Sequence, residues 1–336
     1  MSLEADLHKN KPLFTALLIV FPLVVLGISL FIGRYPKPLF LPIHVLQNDE
    51  LAQQLVLNLR LPRLITAALL GMSLSAAGGV MQMLFRNPLV EPGFLGVTQG
   101  AGFGAALSII LLVTSPFLIE VSATFFAVMG LVLSYFIARK IHYGGWVLRL
   151  VLAGIAVSAI FSAGLGILKY VADPTSQLPE IVFWLLGGLY SVTWTDLFYI
   201  LPVIIVGLLI IYLMRWRLNL LSLSDETAFS LGVSVGRERT LLLAASVAVT
   251  AVVVSVAGIV GWIGLIIPHI ARKATSANAA EFIPFSMSLG AVFAILCDDI
   301  ARVLTVGEVP LGIITSLLGA AVFLVMMTSR NLKIAK

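Results

Sequence analysis

The sequence predicts an all-α polytopic membrane protein with ten transmembrane helices, built as a single domain over residues 1–336. Three observations support this prediction: an apolar composition, long runs without charge, and an uneven distribution of basic residues between alternate loops. Of the 336 residues, 60% are hydrophobic and 11% are charged, whereas a soluble domain is usually about 25% charged. The chain lacks the polar residues that a water-soluble surface needs, and its hydrophobicity also excludes a disordered chain.

Nine charge-free runs of at least 16 residues provide the spans. Most have about the 20 residues that a helix needs to cross roughly 30 Å of hydrocarbon. Helices are expected because lipid-exposed backbone must satisfy its own hydrogen bonds, and the short alternating segments of a transmembrane β-barrel are missing. In chain order the runs are 12–33, 64–85, 92–119, 121–138, 150–168, 197–214, 240–271, 282–297 and 309–329.

The run at 240–271 is too long for one ordinary span and is expected to contain two. Its glycines and Pro268 loosen or break a helix, so we predict a boundary near 257–259 and a short eighth span. The positive-inside rule supports this division. Two helices place 15 of the 21 Lys and Arg residues inside, whereas one helix would leave 11 inside and 10 outside. Both termini are then cytoplasmic, and the net charge of +5 reflects these loops rather than nucleic-acid binding. The six outside residues are Arg34, Lys37, Arg60, Arg63, Lys169 and Arg302.

The first run has the position of a secretory signal but not its length. It contains 22 residues, whereas a signal peptide has an apolar region of about 7–15 residues and a small-residue cleavage site. We therefore interpret it as the first span. Cys297 is the only cysteine, so the chain forms no intrachain disulfide and no thiolate cluster.

The sequence carries no signature of a catalytic, nucleotide or metal site. It has no Gly-Lys pair and therefore no P-loop. A G-x-S-x-G pattern at 232–236 has no histidine partner at a plausible depth in the predicted spans. The histidines show no metal-binding spacing, and they are His8, His44, His142 and His269. We expect no enzyme activity, no metal site and no cofactor.

The predicted spans are nearly free of ionisable residues. A secondary transporter normally buries acidic or histidine side chains that bind protons or ions. Asp298 and Asp299, at the outer end of span nine, are interpreted as a solvated helix end. A ten-span protein without its own ion relay or nucleotide site favours a permease driven by a partner protein. An ion-gradient-driven secondary transporter is the alternative.

Two glycine- and proline-rich segments interrupt the apolar pattern: GGVMQMLFRNPLVEPGFLG at 78–96 and GIVGWIGLIIPHIAR at 258–272. Irregular backbone within a membrane is tolerated only where protein buries it or where it lines a wet cavity. The first segment is either a plain cytoplasmic turn or a packed junction beside a pathway. Because the two segments are similar in kind and five spans apart, they predict an inverted repeat that relates spans 2–5 to spans 7–10.

The longest inside loop, 215–239, predicts a short helix. Ser224 is a suitable N-cap, the two acidic residues after it suit a first turn, and Gly232 is a suitable end. This helix either lies on the membrane interface or docks a cytoplasmic partner. Its apolar surface is expected from Leu223, Ala228, Phe229 and Leu231.

The outer side has two unusual features. Arg60, Arg63 and Arg302 are exceptions to the inside bias, and such arginines either snorkel to headgroups or pair with carboxylates on a docking protein. The outer loop 169–195 contains the apolar stretch IVFWLLGGLY at 181–190. That stretch is too short for a span and predicts a small helix at the outer mouth.

Six segments, in order and over nearly the whole chain, resemble the FecCD/BtuC family of ABC-importer permeases. They are LRLPR at 59–63, GGVMQMLFRNPLVEPGFLG at 78–96, LSLSDETAFSLG at 221–232, VGWIGLIIPHIAR at 260–272, DDIAR at 298–302 and EVPLGIITSLLGA at 308–320. The resemblance implies the type II ABC importer permease fold and a homodimer with the pathway at its interface. It also implies two cytoplasmic ATP-binding subunits, a periplasmic substrate-binding protein and a location in the bacterial inner membrane. ATP is bound by the partner, so the permease itself needs no cofactor.

The resemblance also implies roles for three groups of residues. The outer arginines Arg60, Arg63 and Arg302 resemble those that meet acidic residues of the binding protein. The loop 218–236 resembles the coupling helices that enter the ATPase cleft, and span five resembles the pore-lining helix. The coupling-loop candidates are Leu221, Leu223, Ser224, Asp225, Glu226, Ala228, Phe229, Leu231 and Gly232. The pore and gate candidates are Gly145, Trp146, Val147, Leu148 and Gly154.

The candidate gate departs from some relatives, which carry small hydroxyl residues where this chain has Val147 and Leu148. We therefore expect a hydrophobic constriction. Members of the family carry iron-siderophores, haem, cobalamin and some oxyanions. The resemblance over the whole chain suggests a molybdate- or tungstate-type member, whereas family frequency favours a ferric chelate.

Overall fold

The computed structural model is a bundle of helices, and it describes residues 11–36, 39–111 and 115–328. A π-helical turn at Leu55–Arg60 leads into α4, and a 3-10 turn at Pro92–Leu95 precedes α5. Two short strands pair antiparallel, with Ile32 opposite Phe40. In chain order the elements are α1 (Lys11–Ser29), β1 (Ile32–Gly33), β2 (Leu39–Phe40), α2 (Ile43–Asn48), α3 (Glu50–Gln54), α4 (Leu61–Leu84), α5 (Val97–Leu111), α6 (Pro116–Lys140), α7 (Trp146–Val171), α8 (Gln177–Leu186), α9 (Trp194–Leu221), α10 (Asp225–Ser230), α11 (Val235–Ala257), α12 (Ile263–Ala274), α13 (Ala279–Val303) and α14 (Leu311–Thr328).

The helices follow the predicted charge-free runs. Each run contains a helix, and the run at 240–271 contains parts of α11 and α12. α11 ends at Ala257, and the next residue, Gly258, has a φ of +66°. Glycine adopts such a backbone conformation without steric cost. The predicted break near 257–259 is therefore confirmed.

Among the described residues, seven helical stretches are long and apolar enough to cross a membrane: α4 with the turns before it, α6, α7, α9, α11, α13 and α14. The helices at the first, third and eighth predicted spans fall outside that set, and they are α1, α5 and α12. The helical membrane architecture is therefore confirmed, while the number of ten spans and the inverted repeat stay predictions. The predicted cytoplasmic termini fall largely on residues 1–10 and 329–336, which lie outside the described residues.

α4 lies at the centre of the bundle because small residues let its neighbours approach closely. A Cβ at Gly71 would clash with the carbonyl oxygen of Gly290 in α13, and a Cβ at Gly78 would clash with that of Gly264 in α12. Close contacts of this kind are usual between membrane helices, where packing replaces the hydrophobic effect. The α4–α13 contact brings the N-terminal end of α4 beside the C-terminal end of α13.

The outward faces of α6, α9 and α14 are apolar. Phe125, Leu213 and Leu317 are 61%, 64% and 68% exposed, respectively. Such faces would be unfavourable in water, but lipid tails are as apolar as leucine side chains. These faces are suited to contact with a bilayer or with another membrane subunit.

Candidate translocation and coupling site

The first candidate region lies where α4 begins and α13 ends, and we call it the ion cluster. Its members are Arg60, Arg63, Asp298, Asp299, Arg302 and Glu308. Asp298 is fully buried, and Arg63 Nε donates to its two carboxylate oxygens at 2.9 and 3.2 Å. On the other side, Arg302 Nε lies 3.0 Å from Asp298 Oδ2. Arg63 Nη1 also donates to Glu308 at 2.7 Å. Asp299 pairs with Arg302 and accepts a hydrogen bond from Ser29 Oγ at 2.5 Å.

The interpretation of Asp298 and Asp299 as a solvated helix end was wrong. They are 0% and 6% exposed. Burying a carboxylate is unfavourable unless it is paired and hydrogen-bonded, and the two arginines supply that pairing. The spacing of Asp298 and Arg302, four residues apart on one helix face, was a signal of this pair in the sequence. The contact with Arg63, 235 positions away, had none.

The three predicted docking arginines are buried within the chain. Arg60, Arg63 and Arg302 are 9%, 8% and 7% exposed. Arg63 and Arg302 already pair with internal carboxylates, so a docking protein would have to break buried ion pairs in order to use them. Docking by the three arginines stays a prediction, and the ion pairs of Arg63 and Arg302 count against those two.

Arg60 differs from the other two arginines. Its Nη1 donates to the carbonyl oxygen of Leu30 at 3.0 Å, and among the described residues no carboxylate forms an ion pair with it. A cavity of about 320 Å³ adjoins it. Basic side chains line this cavity together with Glu308, and they are Arg34, Arg60, Arg63 and Arg302.

The two glycine- and proline-rich segments pack against each other. The amide of Gln82 donates to the carbonyl oxygens of Gly264 and Leu265 at 3.2 and 3.0 Å. A Cβ at Gly264 would meet Pro92 Cδ at 2.8 Å, so the two segments also lie in close contact there. Of the two interpretations of segment 78–96, the packed junction is the one the structure shows.

A groove of about 620 Å³ lies beside this junction. Its walls include Phe94, Trp262, Leu186 at the end of α8 and Ile313 in the first turn of α14. α8 is the predicted small helix of the outer loop. Glu91 is the ionisable side chain among the described lining residues, and the rest of the wall is mostly apolar. No group of three or more His, Cys, Asp or Glu side chains is placed to hold a metal ion in the described part of the chain.

α10 forms the predicted short helix in the long loop. Ser224 caps it, since its Oγ accepts a hydrogen bond from the N–H of Thr227 at 3.2 Å. Glu226 lies in the first turn. The chain leaves the helix through Gly232, which has a φ of +78°. The predicted cap, first turn and end are therefore confirmed.

The apolar surface of the loop is smaller than expected. Leu223, Phe229 and Leu231 are 40%, 76% and 54% exposed. Ala228 is 1% exposed because it faces the bundle, and Leu221, at the end of α9, is also 1% exposed. A short helix lying on a protein turns one face inward, so the expectation that Ala228 contributes apolar surface is corrected. Leu221, predicted as a coupling-loop residue, packs inside as the last residue of α9.

The second candidate region connects this loop to the bundle, and we call it the loop cluster: Asp225, Arg239 and Trp146. Arg239 Nη2 donates to Asp225 Oδ1 at 2.7 Å, and Nη1 donates to Oδ2 at 3.4 Å. The guanidinium group holds the pKa of Asp225 below its ordinary value. It also lies over the indole ring of Trp146, with Cζ 4.3 Å from the ring centroid. Arg239 was not among the candidates from the sequence, since Asp225 lies 14 positions away and on a different helix.

The candidate gate residues at the start of α7 have different environments. Gly145 precedes the helix, Trp146 belongs to the loop cluster, Val147 is half-buried, and Leu148 is 46% exposed. Gly154 is buried against the backbone of the 3-10 turn, where a Cβ would meet it at 3.2 Å. Gly154 therefore provides close packing at this point, and its assignment to the pathway stays a prediction.

The chain is similar to known membrane transport proteins in both sequence and structure. The sequence profile of the FecCD transport family matches residues 18–329. The molybdate import system permease protein MolB of Haemophilus influenzae is 37% identical over 92% of this chain and 92% of its own length. An iron chelatin transport system permease protein of Helicobacter pylori is 40% identical over 84% of this chain and 85% of its own length.

A solved structure shares the fold. It is described as an inward-facing conformation of a metal-chelate type ABC transporter, and it superposes with a TM-score of 0.85 at 37% sequence identity. The match covers 93% of this chain and 97% of that chain. The chain therefore belongs to the FecCD transport family, and it is a membrane permease subunit of an ABC importer rather than an enzyme.

Proposed function

We propose that this chain forms, as a homodimer with ten spans per subunit, the translocation pathway of a binding-protein-dependent ABC importer. The groove of about 620 Å³ beside the packed junction carries the proposal. It joins α8, α14 and both glycine- and proline-rich segments, and α14 also presents an apolar outward face. A second subunit covering such a face would enclose a passage with few charges.

The proposal includes the partners and the orientation. Two cytoplasmic ATP-binding subunits contact the loop that contains α10, and a periplasmic substrate-binding protein contacts the opposite end, at the ion cluster. Both termini lie in the cytoplasm, and the chain itself binds no cofactor because ATP is held by the partner subunits. The confirmed cap and end of α10, with Phe229 76% exposed beside them, support its use as a docking helix.

The proposed substrate is a molybdate or tungstate oxyanion. The similarity to MolB over 92% of both chains supports it. A ferric chelate is the second candidate, because the iron chelatin permease is 40% identical. The groove has few charged groups, so the permease is expected to bind either substrate weakly and to leave selectivity to the binding protein.

The experiment is uptake into vesicles that contain the permease with its ATP-binding subunits and binding protein. Radioactive molybdate, tungstate and a ferric siderophore are supplied separately, with and without ATP. ATP-dependent molybdate or tungstate uptake is expected. Uptake of the ferric siderophore alone would select the second candidate. Uptake that runs on an ion gradient without ATP would instead support the secondary transporter, which receives no support from the similarities above.

Docking is assigned to Arg60, with the arginine-lined cavity as the contact surface. Of the three predicted docking arginines, Arg60 is the one that forms no ion pair with a carboxylate in the described residues, and carboxylates of a binding protein are expected to approach it there. Arg60→Glu should weaken binding of the binding protein at physiological salt. Lys169→Glu is the matched control, since it makes the same charge reversal on the predicted outer side but does not line the cavity. Equal binding by Arg60→Glu and the unchanged protein would contradict the assignment.

A further inference from the structure

The guanidinium group of Arg239 contacts both α10 and α7. In the described residues, its pair with Asp225 is the ion pair that joins α10 to the bundle. Arg239 lies in the second turn of α11 and is 7% exposed. Its terminal nitrogens donate to Asp225 of α10, while its flat face covers the ring of Trp146 in α7. Its Nε is buried without a hydrogen-bond partner. One side chain therefore contacts the loop helix and the candidate gate helix at once.

Neighbouring contacts reinforce this connection. Trp146 is the first residue of α7, and its ring centroid lies 5.6 Å from that of Phe85, which ends α4. The next residue, Arg86, donates to the backbone carbonyl of Leu223, just before α10. The ends of α4, α7 and α11 are thus all tied to the segment that contains α10.

One side of α10 faces away from the bundle. Its Phe229 is 76% exposed, and the side chain of Asp225 is 59% exposed although its partner Arg239 is 8% exposed. Within this pair, Arg239 is buried in the bundle and Asp225 of α10 is exposed to solvent. A protein that binds α10 can displace it, and the Asp225–Arg239 pair connects such a displacement to α11.

We propose that Arg239 is a positioning residue that transmits a displacement of α10 to the N-terminal end of α7, where Val147 and Leu148 lie. The inference rests on the proposed function, because it requires an ATP-binding subunit that moves α10. Arginine suits the task because its planar edge pairs with both carboxylate oxygens while its face stacks on an aromatic ring. Lysine has a single charged point and cannot make both contacts together.

The first test compares ATP hydrolysis with uptake in the reconstituted importer. Arg239→Lys and Arg239→Ala should hydrolyse ATP at nearly the unchanged rate but lower substrate uptake per ATP about tenfold, within the range for residues that carry coupling between sites. Arg217→Ala is the matched control. Arg217 lies 3.8 Å from Glu238, is 48% exposed in its side chain, and should leave the ratio unchanged.

The second test follows the position of the gate directly. Leu148→Cys is introduced together with Cys297→Ser, since Cys297 is the single native cysteine and is buried. The rate of maleimide labelling should change when ATP is added, and Arg239→Lys should abolish that change. Trp146→Phe, which keeps an aromatic ring, should retain part of the response that Trp146→Ala loses.

Unchanged uptake per ATP and unchanged ATP-dependent labelling in Arg239→Lys would overturn the inference. Arg239→Lys keeps the charge that pairs with Asp225, so it is the variant expected to fold if Arg239→Ala does not. Failure of the proposed function has a different signature: the protein without substitutions would then show no ATP-driven uptake at all.

Discussion

The ion cluster and the loop cluster both join an arginine to an aspartate, but they differ in how far the carboxylate is withdrawn from solvent. In the ion cluster, the side chain of Asp298 is 0% exposed and lies between Arg63 and Arg302. In the loop cluster, the side chain of Asp225 is 59% exposed and has one partner, Arg239. The first arrangement is closed within the bundle, and the second is open on one side.

This difference indicates what each region is suited to do. Breaking a fully buried pair leaves both charges out of water, whereas the exposed carboxylate of Asp225 regains water when its pair breaks, so that pair opens at a lower cost. The ion cluster therefore behaves as a fixed joint between α4 and α13. The loop cluster is suited to respond when α10 is displaced.

The largest expected effect is the loss of the buried carboxylate in the ion cluster. Asp298→Asn leaves Arg63 and Arg302 without their shared partner, so we expect a loss of about 3–5 kcal/mol in the free energy of unfolding. Thermal unfolding and yield of the detergent-solubilised protein measure it. Glu308→Gln is the control, because Glu308 is 40% exposed in its side chain and its pair should contribute about 0–1 kcal/mol. Equal losses in the two variants would contradict the distinction.

The packing next to the ion cluster provides the second prediction. Gly71 lies two turns beyond Arg63 in α4, and a Cβ there would clash with the backbone of Gly290 in α13. Gly71→Ala should destabilise the protein by about 1–3 kcal/mol, as overpacking does. Thermal unfolding measures it.

The matched control is Gly236→Ala, in the first turn of α11. Nothing lies within 4 Å of a Cβ built at Gly236, and alanine favours a helix over glycine by up to about 1 kcal/mol. We therefore expect this variant to be as stable as the unchanged protein or slightly more stable. An equal loss of stability in Gly236→Ala and Gly71→Ala would show that the close α4–α13 contact is not the cause of the effect.

The short helix α10 should lose local stability when its N-cap is removed. Ser224→Ala deletes the oxygen that accepts from Thr227 N–H and should destabilise α10 locally by about 1 kcal/mol. Amide hydrogen exchange over residues 225–230 measures this. Ser230→Ala is the control, since Ser230, the last residue of α10, donates its Oγ to the carbonyl oxygen of Thr227 and caps no free N–H. Faster exchange throughout the bundle would contradict a local effect.

The smallest expected effect is the pH dependence of the Asp225–Arg239 contact. The pKa of Asp225 is lowered below its ordinary value of 3.8 by Arg239. Its stabilisation is therefore fully present above pH 3.8 and is lost as the pH falls through the lower, folded-state pKa. The difference in melting temperature between Asp225→Asn and the unchanged protein should stay constant from about pH 8 to pH 5 and shrink in stronger acid. A difference that changes between about pH 8 and pH 5 would contradict it.

Much of the fold could be predicted because its signals are local. The charge-free runs located the helices, the glycine pattern located the break after Ala257, and Ser224 and Gly232 marked the ends of α10. Each signal acts on residues within one or two helical turns. The resemblance of six segments was likewise sufficient to identify the family.

The errors concern residues whose environment is made by distant parts of the chain. Asp298 was expected in solvent and Ala228 on the surface, yet both are buried. Apolar spacing cannot show which face of a membrane helix meets lipid, because the faces toward lipid and toward protein are equally apolar.

The amino-acid sequence was enough to identify a helical membrane permease, a helix break after Ala257, and the two ends of the short loop helix. These properties depend on composition and on neighbouring residues. The three-dimensional packing was needed to show that Arg63 and Arg302 share Asp298, that Arg60 forms no ion pair with a carboxylate in the described residues, and that Arg239 connects α10 to Trp146. An ion pair or a ring contact requires two side chains at atomic distance, and helix packing alone brings together residues so far apart along the chain.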